Sequence, residues 1–133
     1  MAEETRSPDD RPAGSGRRYD LEERTARFGE AIIAFARRVP VDPVTQPLIG
    51  QLVRCGTSVG SNYCEADDAG SKKEFRYRIS VCKRESRESM YWLRMIASGV
   101  PLLKTEARAH WCEAKELNLI LGAIFRGKKR NDE

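Results

Sequence analysis

Basic side chains cluster between residues 71 and 94, and phosphate binding is the chemistry that this sequence offers most clearly. The stretch holds eight Lys/Arg against three Glu, a local charge of +5, whereas the whole chain of 133 residues carries +4. At 100° per residue, most of these cations fall on one arc of a predicted helix. The basic arc consists of Lys72, Lys73, Arg76, Lys83, Arg84, Arg87 and Arg94.

Two interpretations of the basic arc stay open. A charge run on a helix is commonly a solvated face that keeps a protein soluble. The alternative is a surface that binds phosphates without sequence specificity and with a steep dependence on salt. For this alternative we predict nucleic-acid contacts by Lys73, Arg76, Lys83, Arg84, Arg87 and Arg94. No RNA-binding motif or recognition-helix signature accompanies them, so the target's identity and strandedness are not predicted.

The sequence lacks the patterns of catalytic and metal-binding sites. His110 is the single histidine, and next to Trp111 it is expected at a surface or an interface. The four cysteines show no C-x-x-C spacing and are expected to act as small apolar residues. No G-x-x-x-x-G-K-[ST] loop for nucleotide phosphates is present. We therefore predict a protein that is not an enzyme and has no catalytic residue, metal or cofactor.

Helical periodicity extends over the chain after residue 18, and no strand pattern competes. The helices are predicted from about Asp20 to Val39, Thr45 to Asp67, Lys72 to Ser98 and Thr105 to Arg126. Short connections between them predict an all-α, antiparallel up-down-up-down four-helix bundle. The polar, Pro- and Gly-containing start predicts a disordered tail over 1–18. The bundle is predicted over 19–127, followed by a polar C-terminal end over 128–133.

Cap residues mark the predicted helix ends. Thr45 or Asp42 is expected to cap helix 2. Gly70 is expected to adopt the left-handed conformation after helix 2. Ser71 and Glu74 then form the S-x-x-E capping box that begins helix 3.

Polar residues on helix 2 are either a solvated edge or one side of a ladder between helices. Helices 2 and 3 are predicted to form a helical hairpin that turns at Gly70. In such a hairpin, a residue of helix 2 lies beside the residue of helix 3 for which the two numbers sum to about 139. Arg54 is then predicted to meet Glu85 or Glu88, because an arginine that loses water needs a partner. Asn62 and Glu65 complete the predicted polar ladder near the turn, as structural groups.

A second apolar arc on helix 3 lies away from its main seam. It contains Tyr77, Val81, Trp92 and Met95. One bundle could cover these side chains with helix 2 or helix 4. The other interpretation, which we adopt as the prediction, is an oligomer interface, because a ring of identical subunits needs two patches that meet head to tail.

The stretch QLVRCGTSVGSNYCEA, followed by SKKEF, resembles the signature of a bacterial family, the 23S rRNA intervening-sequence proteins. The signature runs Q-[LI]-x-R, S-x-x-x-N-x-x-E, a Gly-containing turn and S-x-x-E-F. The matching residues are Gln51, Leu52, Arg54, Ser58, Asn62, Glu65, Gly70, Ser71, Glu74 and Phe75. The resemblance covers about residues 20–126. It departs at Gly56 and Gly60, where many members carry Ala and Pro.

This resemblance implies a closed homopentamer of four-helix bundles. The family is similar to the accessory variability proteins of diversity-generating retroelements, basic pentamers that associate with a reverse transcriptase and nucleic acid. We therefore expect a pentameric accessory protein that binds RNA or DNA, with a reverse transcriptase as a candidate partner. The alternative is an oligomeric protein-interaction scaffold that binds no nucleic acid. With no apolar run of about 20 residues and no signal peptide, no membrane partner and a cytoplasmic location are expected.

Overall fold

The computed structural model describes residues 16–131 of the chain, with side chains for residues 21–127. That part is all-helical, which confirms the predicted all-α four-helix bundle. The helices are α1 (Gly16–Arg38), α2 (Thr45–Asp67), α3 (Lys72–Gly99) and α4 (Lys104–Asn131), and a 3₁₀ turn, Pro101–Leu103, leads into α4.

The predicted helix bounds agree closely for α2 and α3 and less well at the two chain ends. α1 begins at Gly16, four residues before the predicted start at Asp20. Residues 16–18 of the predicted tail are helical, and residues 1–15 lie outside the described part. α4 continues past Arg126 to Asn131, which places residues 128–131 of the predicted polar end in the helix.

The core is built from one apolar stripe per helix. Side chains at helical spacing are fully buried on all four helices, among them Ile32, Phe35, Leu52, Val59, Ile79, Leu93, Ile96, Leu117 and Leu121. Burial of each such side chain contributes roughly 1.5–3 kcal/mol, so the shared core fixes the helices against one another. Ser86 and Ser89 interrupt the α3 stripe, and their hydroxyls donate to the carbonyls of Lys83 and Glu85.

Two glycines bring α2 close to α1. A Cβ added to Gly56 would lie 2.9 Å from Ile32 Cγ2, and one added to Gly60 would lie 3.3 Å from the Thr25 backbone. The absence of a Cβ at these two positions therefore allows α2 to pack closely on α1.

The connections end and begin helices with local hydrogen bonds. Asp42 Oδ1 accepts from the backbone N–H groups of Thr45 and Val44, each at 2.8 Å, and these bonds lower the pKa of the Asp42 carboxyl. Ser71 Oγ accepts from Glu74 N at 3.1 Å, while the Glu74 carboxylate accepts from Gly70 N. The predicted left-handed Gly70 is wrong, since no described glycine has a positive φ. Asp68 N instead donates to the carbonyls of Cys64 and Glu65, which closes α2 without a left-handed residue.

None of the helices in the described part is long and apolar enough to cross a bilayer.

Candidate nucleic-acid interface

Contacts between α3 and α4 place the basic arc along the groove between these two helices. The Arg76 guanidinium carbon lies 4.1 Å from the centre of the Phe125 ring. Closer to the middle of α3, Asn118 Nδ2 donates to the Lys83 carbonyl at 2.9 Å and to Ser86 Oγ at 3.1 Å. Residues of α3 and α4 whose numbers sum to about 201 are therefore neighbours.

The six predicted phosphate-binding residues divide into two groups. Lys73, Arg84, Arg87 and Arg94 are exposed on α3. Arg76 and Lys83 are half-buried, because their stems pack on α4. Arg76 covers Phe125, and a Cβ added to Gly122 would lie 3.2 Å from Lys83 Cε. Long cationic side chains can bury their stems and keep the charged end near water. These two residues therefore also contribute to helix packing.

Carboxylates neutralise cations elsewhere in the bundle, whereas four exposed cations of α3 have no carboxylate paired to them among the described side chains. Arg24 Nε lies 2.7 Å from Glu113 Oε2, Arg27 pairs with Glu23, and Arg38 pairs with Glu106. Among the described side chains, no carboxylate forms an ion pair with Lys73, Arg84, Arg87 or Arg94. Unpaired positive charge on one face attracts polyanions because their counterions are released on binding.

Cations of α4 that belong to no predicted site extend this face. Lys104, Arg108 and Lys115 lie on the same side of α4, together with Trp111. Arg108 and Lys115 each place a charged group 5.5 Å from the centre of the Trp111 ring. Their spacing of four, three and four residues was visible in the sequence, but only the pairing of α4 with α3 shows that they continue the basic arc.

A pocket of about 310 Å³ lies where α3 and α4 approach the 3₁₀ turn. Arg94, Lys104 and Arg108 line it, together with Trp111 and small apolar side chains. No carboxylate lines this pocket. A second groove of about 360 Å³, between α1 and α2, is lined instead by Glu22, Glu23 and Glu30.

The predicted contact of Arg54 with α3 is present. Arg54 Nη2 lies 2.6 Å from Glu88 Oε2, and Nη1 lies 3.5 Å from Glu85 Oε1. Glu88 also accepts a hydrogen bond from Trp92 Nε1 at 3.2 Å. This cluster ties α2 to α3 halfway along the helices.

The rest of the predicted polar ladder does not join Arg54. Asn62 Oδ1 accepts from Arg78 Nη1 at 3.1 Å, and Asn62 Nδ2 donates to the Ser58 carbonyl. Glu65 is exposed and forms no ion pair with a described side chain. The ladder is therefore two separate contacts, because Asn62 is two turns of helix away from Arg54.

The four predicted interface residues differ in how much surface they leave for a partner. Tyr77 is 57% exposed, whereas Val81 is only 6% exposed because its own bundle covers it. Trp92 and Met95 are half-buried. The Trp92 ring also meets Tyr91 edge-on, with the ring centres 5.0 Å apart.

Of the four cysteines expected to act as small apolar residues, Cys55 and Cys82 are buried, whereas Cys64 and Cys112 are exposed. Burial raises the pKa of the Cys55 thiol, and raises that of Cys82 to about 12, so both stay protonated at neutral pH. His110 is half-buried and packs on Phe35, with ring centres 5.2 Å apart. Burial, and then the charge of Arg38, lower the pKa of His110. Within the described residues, no group of three His, Cys, Asp or Glu could hold a metal ion.

Comparison with known proteins links the chain to one family. The family model described as "23S rRNA-intervening sequence protein" matches residues 17–123. A similar fold occurs in the 1.70 Å crystal structure of a protein of unknown function from the S23 ribosomal protein family of Bacteroides thetaiotaomicron. The two chains share 22% sequence identity with a TM-score of 0.73, over 79% of this chain and 97% of the other. A comparison with curated protein sequences finds no match.

Proposed function

The chain belongs to the 23S rRNA-intervening sequence protein family, and from that premise we propose that it is a non-enzymatic accessory protein that binds nucleic acid. RNA or DNA is bound along the α3–α4 face through phosphate contacts. The protein works in the cytoplasm as a homopentamer of up-down-up-down bundles and assists a reverse transcriptase or an RNA process.

This proposal rests on one observation: several arginines of the bundle are paired with carboxylates, whereas exposed arginines of α3 are not. The side chains of Arg24, Arg27, Arg38 and Arg54 all reach carboxylates. Arg84 and Arg87 are exposed on α3 with no carboxylate of the described chain paired to them. A solvated helix that only keeps a protein soluble carries both signs of charge interspersed. A face of one sign, continued by Lys115 on α4, fits a phosphate backbone better.

Charge reversal at exposed positions tests this proposal. The variant Arg84→Glu/Arg87→Glu is compared with Arg27→Glu/Arg37→Glu, which changes the net charge equally on α1. Fluorescence anisotropy measures binding of labelled RNA and DNA over a range of salt concentrations. We expect the α3 variant to bind at least about 10-fold more weakly at low salt, with a salt slope smaller by about two, because two phosphate contacts are lost. The α1 variant is expected to bind nearly as wild type does.

The competing function is an oligomeric scaffold whose charge serves solubility. It predicts that wild type binds neither RNA nor DNA at low salt, or that both double variants weaken binding equally. Either result would contradict a nucleic-acid interface on α3 and α4. Arg76 and Lys83 are left unchanged in this test, because reversing their charges would also disturb their packing on Phe125 and Gly122.

A further inference from the structure

The pocket at the end of the α3–α4 groove combines a cationic rim with an apolar interior. Arg94, Lys104 and Arg108 form the rim, while Leu93 and Ala107 are buried at its base. The Trp111 ring forms one wall and is half-buried. At about 310 Å³, the pocket is at the lower end of the range of small-ligand sites, about 300–1,000 Å³. Its ligand should therefore be a small, flat apolar group attached to negative charge.

We propose that this pocket takes one unpaired nucleobase of a single-stranded nucleic acid. The base lies against Trp111, and the phosphates on either side of it contact Arg94, Lys104 and Arg108. Aromatic side chains hold bases of any sequence in this way, because every base has a π-face. This inference rests on the proposed function and adds to it a preference for single strands.

Continuity with the basic arc favours a polynucleotide over a free anion. Arg94 belongs both to the arc and to the pocket rim. Toward the middle of the bundle, Arg87 on α3 and Lys115 on α4 lie at the same level, since their numbers sum to about 201. A strand whose base enters the pocket therefore finds further cations along the groove. A duplex fits less well, because its bases are already paired and stacked and unstacking one costs a few kcal/mol.

The groove between α1 and α2 serves as a control site for the α3–α4 pocket. It has a similar volume, about 360 Å³, but Glu22, Glu23 and Glu30 line it in place of cations. A polyanion is repelled there. Substitutions that fill one or the other groove therefore separate a specific pocket from a general effect of added bulk.

Tryptophan fluorescence gives the first test. The chain has two tryptophans, so Trp92→Phe leaves Trp111 as the only one. We titrate this variant with oligo(dT) and oligo(U) of roughly 20 nucleotides, and with a duplex of equal length. The expected result is saturable quenching of Trp111 by both single strands and little quenching by the duplex. Equal quenching by duplex and single strand, or none by any of them, would overturn the inference.

Affinity measurements give the second test. Trp111→Ala removes the stacking wall, and Ala97→Met fills the pocket while keeping every charge. Both are expected to bind single strands about 5- to 100-fold more weakly, with unchanged duplex binding and an unchanged salt slope. Ala26→Met, in the groove between α1 and α2, is the matched control and should bind as wild type does. Circular dichroism confirms that each variant is folded.

The outcomes distinguish this inference from the proposed function. If wild type binds single strands and duplex equally well, and Ala97→Met changes neither, then nucleic-acid binding stands and the base pocket is wrong. If wild type binds no nucleic acid at low salt, the proposed function itself is wrong. If Trp111→Ala does not fold, Ala97→Met and the Trp111 quenching decide the question.

Discussion

Arginine has two different roles in this protein, and the neighbouring residues decide between them. Arg54 meets Glu85 and Glu88 across the α2–α3 boundary, where it holds two helices together. Arg84, which directly precedes Glu85 on α3, is exposed and has no carboxylate partner among the described residues. The first kind of arginine contributes to stability. The second kind leaves its charge available to a ligand, so stability and binding should be separable by mutation.

Replacing Arg54 by Ala tests the stabilising role. Glu85 retains only 13% of its side-chain exposure, so losing Arg54 leaves a mostly covered carboxylate without that partner. We expect Arg54→Ala to lower the free energy of unfolding by about 1 kcal/mol, since the pair is only partly buried and water screens it. Urea denaturation measures the change. Arg84→Ala is the control, with an expected change within about 0.5 kcal/mol. Equal effects of the two substitutions would contradict the assignment.

His110 should make stability depend on pH. Burial and the Arg38 charge hold its pKa below the ordinary value of 6.5, so the folded protein favours the neutral ring. The unfolded chain therefore binds a proton first as the pH falls. The stabilisation is complete above pH 6.5 and is lost as the pH drops from there through the lower folded pKa.

The measurement compares wild type with His110→Gln. Below the ordinary histidine pKa, the free energy of unfolding of wild type should decline faster than that of the variant. The extra decline cannot exceed about 1.4 kcal/mol per pH unit, because one proton is involved. Denaturation at about pH 8, 6 and 5 gives the comparison. Parallel curves would show that His110 is not desolvated in the folded protein.

At the scale of helices, local sequence signals were sufficient for the bounds of α2 and α3 but not for the conformation of Gly70 in the turn that joins them. Caps at Asp42 and Ser71 fixed the helix starts, and the hairpin register brought Arg54 to Glu88. Signals were insufficient where a side chain's environment comes from a distant helix. The packing of Arg76 on Phe125 and the covering of Val81 both depend on how helices meet across the bundle. The α4 cations were missed for the same reason.

Glycines on α2 test how closely that helix packs on α1. A Cβ added to Gly50 in α2 would meet no heavy atom within 4 Å apart from the helix's own nearby backbone, so Gly50→Ala should gain up to about 1 kcal/mol from helix propensity. Gly56→Ala gains the same propensity but places its Cβ 2.9 Å from Ile32 Cγ2. Ile32 is fully buried and branched at Cβ, so it has little room to move. We expect Gly56→Ala to lose about 1–3 kcal/mol overall.

If α2 packs closely on α1, urea denaturation should give a higher free energy of unfolding for Gly50→Ala than for wild type and a lower one for Gly56→Ala. Gly60→Ala should fall between them, because its Cβ would meet the Thr25 backbone at 3.3 Å. A Gly56→Ala protein as stable as Gly50→Ala would show that α1 can shift away from α2 at little cost.

For the whole molecule, the proposed ring would let individually weak phosphate contacts add up to a higher overall affinity. One bundle offers a short basic face, and each phosphate contact on it is weak. A ring repeats that face, so a bound strand meets the next set of cations at a high effective concentration. Overall affinity then depends on assembly as well as on the basic residues themselves. Loss of assembly should weaken binding even when every cation remains.

The apolar arc of α3 provides a way to test this dependence. Tyr77→Ser/Met95→Ser removes apolar surface without changing charge, and Val41→Ser, at a site that is 71% exposed between α1 and α2, is the control. Sedimentation should give wild type and control a mass about five times the 15.1 kDa of one chain, and the double variant a smaller mass. The double variant should also bind long RNA at least about 10-fold more weakly. A wild type that sediments at 15.1 kDa would refute the ring, and a double variant of unchanged mass would place its contacts elsewhere.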